Sequence, residues 1–169
     1  MRFLLSLLPL LLLLHSLPYS AAARKHNPHN NPTNSSHLAA VTVSLSRARR
    51  VSSYLAQLSN SDQGTKRELS ALSACIDLMS ESVDELTRTL DELKHLHAET
   101  FLFQMSNAQT WVSAALTDDD TCLDGFEELD VKVKADMKRK VTNAARVTSN
   151  ALYLINRLDE SRGRPRSKP

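Results

Sequence analysis

The chain has 169 residues, with 21 Lys and Arg against 19 Asp and Glu and a formal net charge of +2. So even a balance argues against a dedicated nucleic-acid binder, which needs a net basic surface. Aromatic residues make up 5% and there are 3 glycines, too few to furnish the strands and turns of an all-β domain.

The N-terminus reads as a secretory leader over residues 1–23. Arg2 supplies a positive start, Phe3 to Leu14 is almost wholly apolar, and Ala21-Ala22-Ala23 offers a small-residue cleavage site. The apolar core is about twelve residues, against the roughly twenty needed to span a bilayer. A secreted, soluble product without membrane contact is expected. Cleavage leaves one ordinary domain. Secretion also places Cys75 and Cys122, the two cysteines of the chain, where thiols oxidise and an even count pairs.

Residues 24–36, RKHNPHNNPTNSS, carry two Pro and four Asn and no apolar side chain, so nothing there offsets the entropy of ordering. This stretch is expected to be a disordered arm. Asn34-Ser35-Ser36 is the one N-glycosylation sequon, expected on an exposed segment. His26, His29 and His37 lie nearby without further ligand candidates and read as solvated.

From Leu38 the chain becomes periodic. Leu38, Val41, Leu45, Ala48, Ser52 and Leu55 recur at alternating steps of three and four, which predicts a first helix of about twenty residues. Arg47, Arg49 and Arg50 fall on its other face. Asn60 to Gly64 breaks the pattern, and Thr65-Lys66-Arg67-Glu68 has the spacing of a capping box that opens a second helix. There Leu69, Leu72, Ile76, Met79, Val83, Leu86, Leu90, Leu93 and His97 keep the rhythm over roughly thirty residues. After an interruption near Leu96 to Thr100, Ser106 to Gln109 offers another capping box. A third helix then aligns Ala108, Val112, Ala115, Asp119, Cys122 and Phe126, with the aspartate its one blemish. Residues 130–136 lack periodicity. Met137, Val141, Ala144, Thr148, Ala151, Ile155 and Leu158 define a fourth helix, and 159–169 reads as a basic disordered tail.

Four amphipathic helices with short connections predict an all-α, antiparallel up-and-down four-helix bundle over 37–158. The cysteines agree with that topology. Cys75 stands about 20 residues before the turn between helices two and three, and Cys122 about 15 to 18 after it, placing them roughly 30 and 25 Å from the same end. A bond between them would restrict the unfolded chain by roughly 4 kcal/mol in the entropy model.

No Ser, Thr, His or acidic residue lies in a nucleophile-elbow, phosphate-loop or metal-ligand spacing, so no catalytic residue, metal or cofactor is expected. His95 and His97 are two apart and cannot share a helix face. Trp111 is expected to pack in the core. Arg162, Arg164, Arg166 and Lys168 of the tail offer at most weak electrostatic contact with an acidic polysaccharide such as pectin.

The segments VSLSRARRVSSYLAQLS at 43–59, ALSACIDLMSESVDEL at 71–86, QTWVSAALTDDDTCLDGF at 109–126 and TSNALYLINRL at 148–158 resemble the plant invertase and pectin methylesterase inhibitor family. The resemblance covers essentially all of 37–158. It implies a secreted four-helix-bundle inhibitor in the cell wall, or apoplast, that binds a carbohydrate-modifying enzyme one to one and occludes its cleft. It also implies a Cys75–Cys122 bridge between helices two and three. This sequence departs from the family at its N-terminus, where the usual disulfide-closed helical hairpin is replaced by the Asn- and Pro-rich arm. In the invertase-directed branch a Pro-Lys-Phe motif sits in the turn between helices two and three, and LHAETFLFQ at 96–104 lacks it. Pectin methylesterase is therefore the expected partner and invertase the alternative, with a non-inhibitory signalling or binding protein as a third reading. In the esterase-directed branch helices two to four pack across the cleft. That makes Thr117, Asp118, Asp119, Asp120 and Thr121 the candidate contact patch, whose carboxylates would meet basic residues at the cleft rim.

Overall fold

The computed structural model describes residues 32–60, 64–127 and 134–163. They form four helices, α1 (Pro32–Ser59), α2 (Lys66–Lys94), α3 (Phe101–Asp124) and α4 (Lys134–Gly163). Each helix packs on the next and α4 returns against α1, while the diagonal pairs make no close approach. This ring of four neighbours joined by short connections is the antiparallel bundle that the periodicity predicts. The expected leader lies outside the described residues.

The α1 helix begins earlier than its apolar periodicity. Pro32 occupies the first helical position, where a missing N–H costs nothing and a fixed φ suits the helix. Residues 32–36 of the expected arm are therefore helical, with Asn34 in the first turn of α1, and 24–31 lie outside the described residues. His37, expected to be solvated, is 5% exposed. Thr65 caps α2 as its sequence spacing predicts: its side chain accepts from the Glu68 N–H, and the Glu68 carboxylate accepts from the Thr65 N–H at 2.6 Å.

The helical interior is close to the expected stripes. Val41, Leu45, Ala48 and Leu55 of α1, Ala108, Val112, Ala115, Cys122 and Phe126 in and just after α3, and Met137, Val141, Ala144, Ala151, Ile155 and Leu158 of α4 are all buried. The stripe on α2 is rotated from the expected one. Leu72, Met79, Leu86 and Leu93 are buried as expected, but Cys75, Ser82 and Thr89 join them while Ile76, Val83 and Leu90 are half-buried. Thr89, Ser44 and Thr148 return their hydroxyls to the carbonyls one turn back. In this way small polar side chains fill the core without orphaned donors.

Three further helix ends differ from expectation. The α2 helix stops at Lys94, so His97 lies in the turn and is exposed. The α3 helix starts at Phe101 rather than Ser106, because Gln104 acts as the organiser of that turn. Its Oε1 accepts from the His97 N–H at 2.8 Å and the Thr100 hydroxyl at 3.0 Å, and its Nε2 donates to the His95 carbonyl at 2.8 Å. At the other end of the chain α4 runs on through Gly163, past the expected start of the tail at 159. Asp159 there accepts from Gln109 of α3 at 3.3 Å. Arg162 is thus helical, and Arg164, Arg166 and Lys168 lie outside the described residues.

Candidate functional site: the face shared by α2 and α3

The Cys75–Cys122 disulfide ties α2 to α3 with a Cα–Cα distance of 4.6 Å, and both residues are 1% exposed. The helix lengths that placed the two sulfurs at similar heights thus bring them together in fact. Two turns past Cys75 on α2, and one turn before Cys122 on α3, the interface turns polar. The Ser82 hydroxyl donates to Asp119 Oδ1 at 3.1 Å, and among the described residues Asp119 Oδ2 has no hydrogen-bond partner. Asp119 is 0% exposed, and burial with the charges of Asp118 and Asp120 beside it pushes its pKa up to about 7.

A second carboxyl pair lies at the edge of this interface. Glu85 of α2 faces Asp118 of α3, and desolvation followed by the Asp118 charge raises the Glu85 pKa to about 7. Desolvation raises Asp118 as well. Each carboxylate disfavours ionisation of the other where little water reaches them, so Glu85 takes up a proton near neutrality.

These positions correct the expected contact patch. Asp119 is not a surface carboxylate; it belongs to the helical stripe in which it looked like a blemish, and Ser82 across the interface supplies its partner. Asp118 is half-buried against Glu85. Thr117, Asp120 and Thr121 are exposed, with the Thr117 and Thr121 hydroxyls bonded to carbonyls one turn back. Asp77, Glu81, Asp84 and Asp124 are exposed as well, which widens the acidic face along both helices. Trp111, expected in the core, is half-buried on the flank of the Ala108-Val112-Ala115 stripe. His95 is exposed and lies 3.5 Å from Asp91. At the head of α3, Leu102 and Phe103 are 64% and 68% exposed.

The charge is divided between the two sides of the bundle. The α2 and α3 helices together hold eleven acidic residues against four basic, and α1 and α4 hold ten basic against three acidic. Because α2 and α3 are neighbours, as are α4 and α1, a nearly neutral chain folds into a molecule with an acidic half and a basic half. Sequence reasoning missed Ser82, Glu85 and Gln104. Per-helix charge totals were the available signal for the polarity, while nothing local marks Ser82 as the mate of Asp119. Among the described residues no group of three or more His, Cys, Asp or Glu could hold a metal ion, and no helix is long and apolar enough to cross a membrane. The arrangement offers no nucleophile or general-base constellation; it offers a braced, charged surface.

The sequence profile of the plant invertase/pectin methylesterase inhibitor family matches residues 16–154. Pectinesterase inhibitor 3 of Arabidopsis thaliana is 53% identical over 133 residues, covering 75% of this chain and 65% of its own length. The chain thus spans slightly less than two thirds of that relative. Pectinesterase inhibitor 9 of Arabidopsis thaliana is 43% identical over 158 residues, covering 89% of this chain and 76% of its own. The 21 kDa protein of Daucus carota is 41% identical over 143 residues, covering 81% of this chain and 73% of its own. In three dimensions, the crystal structure of a pectin methylesterase inhibitor from Arabidopsis thaliana aligns with a TM-score of 0.64 at 20% identity, covering 75% of this chain and 78% of that one. This last likeness carries the fold.

Proposed function

We propose that this chain, which belongs to the plant invertase/pectin methylesterase inhibitor family, inhibits pectin methylesterase by forming a one-to-one complex that occludes the enzyme's cleft. The kinship with pectinesterase inhibitors at 53% and 43% identity is the observation that carries this reading. The relatives of 53% and 43% identity are named as inhibitors and not as enzymes. Export to the cell wall, where such an esterase would be met, follows from the leader-like N-terminus. N-glycosylation at Asn34 belongs to the same reading.

The contact surface we assign is the outer face of α2 and α3, with Asp120, Thr117 and Thr121 of the original patch joined by Glu81 and Asp84. Carboxylates there would steer the inhibitor toward a basic rim and set its orientation more than its affinity. At the opposite end of α3, about 20 Å along the axis from Thr117, the exposed Leu102 and Phe103 add apolar area to this side of the bundle. The disulfide holds the two helices in one spacing, so little ordering entropy is lost on docking.

The test is a titration. Purified protein is added to a pectin methylesterase and, separately, to an acid invertase at mildly acidic pH, and residual activity is followed. Stoichiometric loss of esterase activity with invertase untouched is expected, since the 96–104 turn lacks Pro-Lys-Phe. Replacing Glu81 by Gln together with Asp120 by Asn should weaken inhibition most at low ionic strength, where exposed charges are least screened. Loss of neither enzyme activity by a protein with a helical circular-dichroism spectrum would refute the proposal.

A further inference from the structure

The basic half of the bundle is not used by the surface just assigned, and it contains a groove. Between α1 and α4 a cleft of about 420 Å³ is lined by Arg47, Arg50, Arg139, Lys140, Asn143 and Arg146, with Val51 at its floor. Five of the seven lining side chains are cations, and none is an acid. Asp136 at one end bonds Arg139 and lies 3.6 Å from Lys140. It also bonds the Tyr54 hydroxyl, and Lys140 stands 4.7 Å over the Tyr54 ring. That network fixes two of the cations in place. Among the described residues Arg47, Arg50 and Arg146 have no ion-pair partner, and all three are exposed.

The spacing is that of a track rather than a point. Arg139 and Arg146 lie two turns apart on one face of α4, about 10 Å along the axis, and Arg47 and Arg50 face them from α1, about one turn apart. Concentrating like charge in this way is destabilising for the folded chain unless an anion relieves it. A single small anion would neutralise one or two of these side chains. A chain carrying carboxylates at regular intervals would meet them all, and planar guanidinium groups match carboxylates bidentately.

We propose that the α1/α4 groove binds a polyuronate, the de-esterified form of pectin, through its carboxylates. The choice of this polyanion rests on the esterase target proposed above, because removal of methyl esters from pectin leaves a run of free carboxylates. The inhibitor would then be held by the product of the enzyme it restrains, through a face on the opposite side of the bundle from the enzyme contact.

The experiment uses the full mature chain and no esterase. Binding to an oligogalacturonate of defined length is measured by titration calorimetry, in parallel with the fully methyl-esterified oligomer and with polyphosphate. Expected are salt-sensitive binding to the oligogalacturonate and none to the esterified oligomer, with polyphosphate, which guanidinium groups also pair bidentately, as the purely electrostatic control. Arg47→Gln, Arg50→Gln and Arg146→Gln combined should weaken oligogalacturonate binding by about tenfold or more, whereas Arg88→Gln on α2 should not change it. The triple variant should inhibit esterase as the wild type does. Equal binding of the esterified oligomer, no binding of the oligogalacturonate, or an unchanged triple variant would each overturn the proposal. If the triple variant does not fold, the comparison of the three polymers on the wild type still decides. Because these readouts contain no enzyme, failure of inhibition and failure of the groove are told apart.

Discussion

The two halves of this bundle solve the same packing problem by different means. The α2 and α3 helices are tied by a disulfide, and beside that bond they bury Asp119 and crowd Glu85 against Asp118. The α1 and α4 helices have no covalent tie. Their shared boundary buries no carboxylate: inside, Val41, Leu45, Ala144 and Ile155 pack with the hydroxyls of Ser44 and Thr148, which bond within their own helices, and outside it is cationic. A buried carboxyl without a full partner set disfavours the fold. Such a group is tolerated where a cross-link has already reduced the entropy of the unfolded chain. The untied half keeps its charges in water, where their mutual repulsion is screened. The lesson is that a covalent brace permits polar chemistry in an interface that packing alone would have to keep apolar.

That contrast can be broken in order of expected effect. Replacing Cys75 and Cys122 together by Ala should cost about 4 kcal/mol, the loop-closure value for the 47-residue separation. In a thermal melt this is a drop on the order of ten degrees. An unchanged midpoint would remove the covalent brace from the comparison.

The next test is pH. Asp119 and Glu85 have folded pKa values raised to about 7, whereas an unfolded carboxyl titrates near 4. Between those values the native state holds protons that the unfolded state has released, so stability falls as pH rises through that window and levels off above it. For buried Asp119 the change is a few kcal/mol, about 1.4 per pKa unit; the more exposed Glu85 adds less. Denaturant unfolding at pH 5 and pH 8 should show the wild type weaker at the higher pH. Asp119→Asn, isosteric and uncharged, should flatten most of that slope and be the more stable protein at pH 8. Equal stability of the wild type at both values would show that the carboxyls are not buried as described.

A smaller effect is expected at the turn joining the tied helices. Gln104→Ala leaves the His97 N–H and the His95 carbonyl without their partner and should cost about 1–3 kcal/mol. Faster amide exchange in 95–100 would accompany it. Smallest of all is the basic side. Arg47→Gln, Arg50→Gln and Arg146→Gln should each change stability by no more than about 0.5 kcal/mol, in either direction, because exposed charges contribute little to folding. A large loss from any of them would mean that the α1/α4 boundary relies on its cations, against the contrast drawn above.

Much of this architecture was legible in the amino-acid order. All seven α4 positions picked out by the three-four spacing are buried, with only Ala145 beside them missed, and the Thr65 and Glu68 pair marked the start of α2 to the residue. The same spacing misplaced the start of α3, because the signal there is the side chain of Gln104 reaching back over the turn, a contact with no local spacing rule. It also misjudged the Asp118 to Asp120 run. Three successive aspartates on a helix point in directions about 100° apart. One must face inward, one the flank and one the solvent, so a contiguous patch in sequence cannot be a contiguous patch in space. The stripe through Ala115 and Cys122 already contained Asp119, and a stricter reading would have taken the stripe over the run. Trp111 shows the reverse case: a large apolar residue one position off the stripe is carried to the flank and stays half-exposed.

Sequence alone determined the helices, their number and the partner of each cysteine, since period, caps and a pair of thiols are local or have one solution. The tertiary structure decided which aspartate loses its water, which serine answers it, and that the charges of four helices separate into an acidic side and a basic side. Burial and long-range pairing depend on which faces meet in the ring, and adjacency in the chain does not specify which residues come opposite one another.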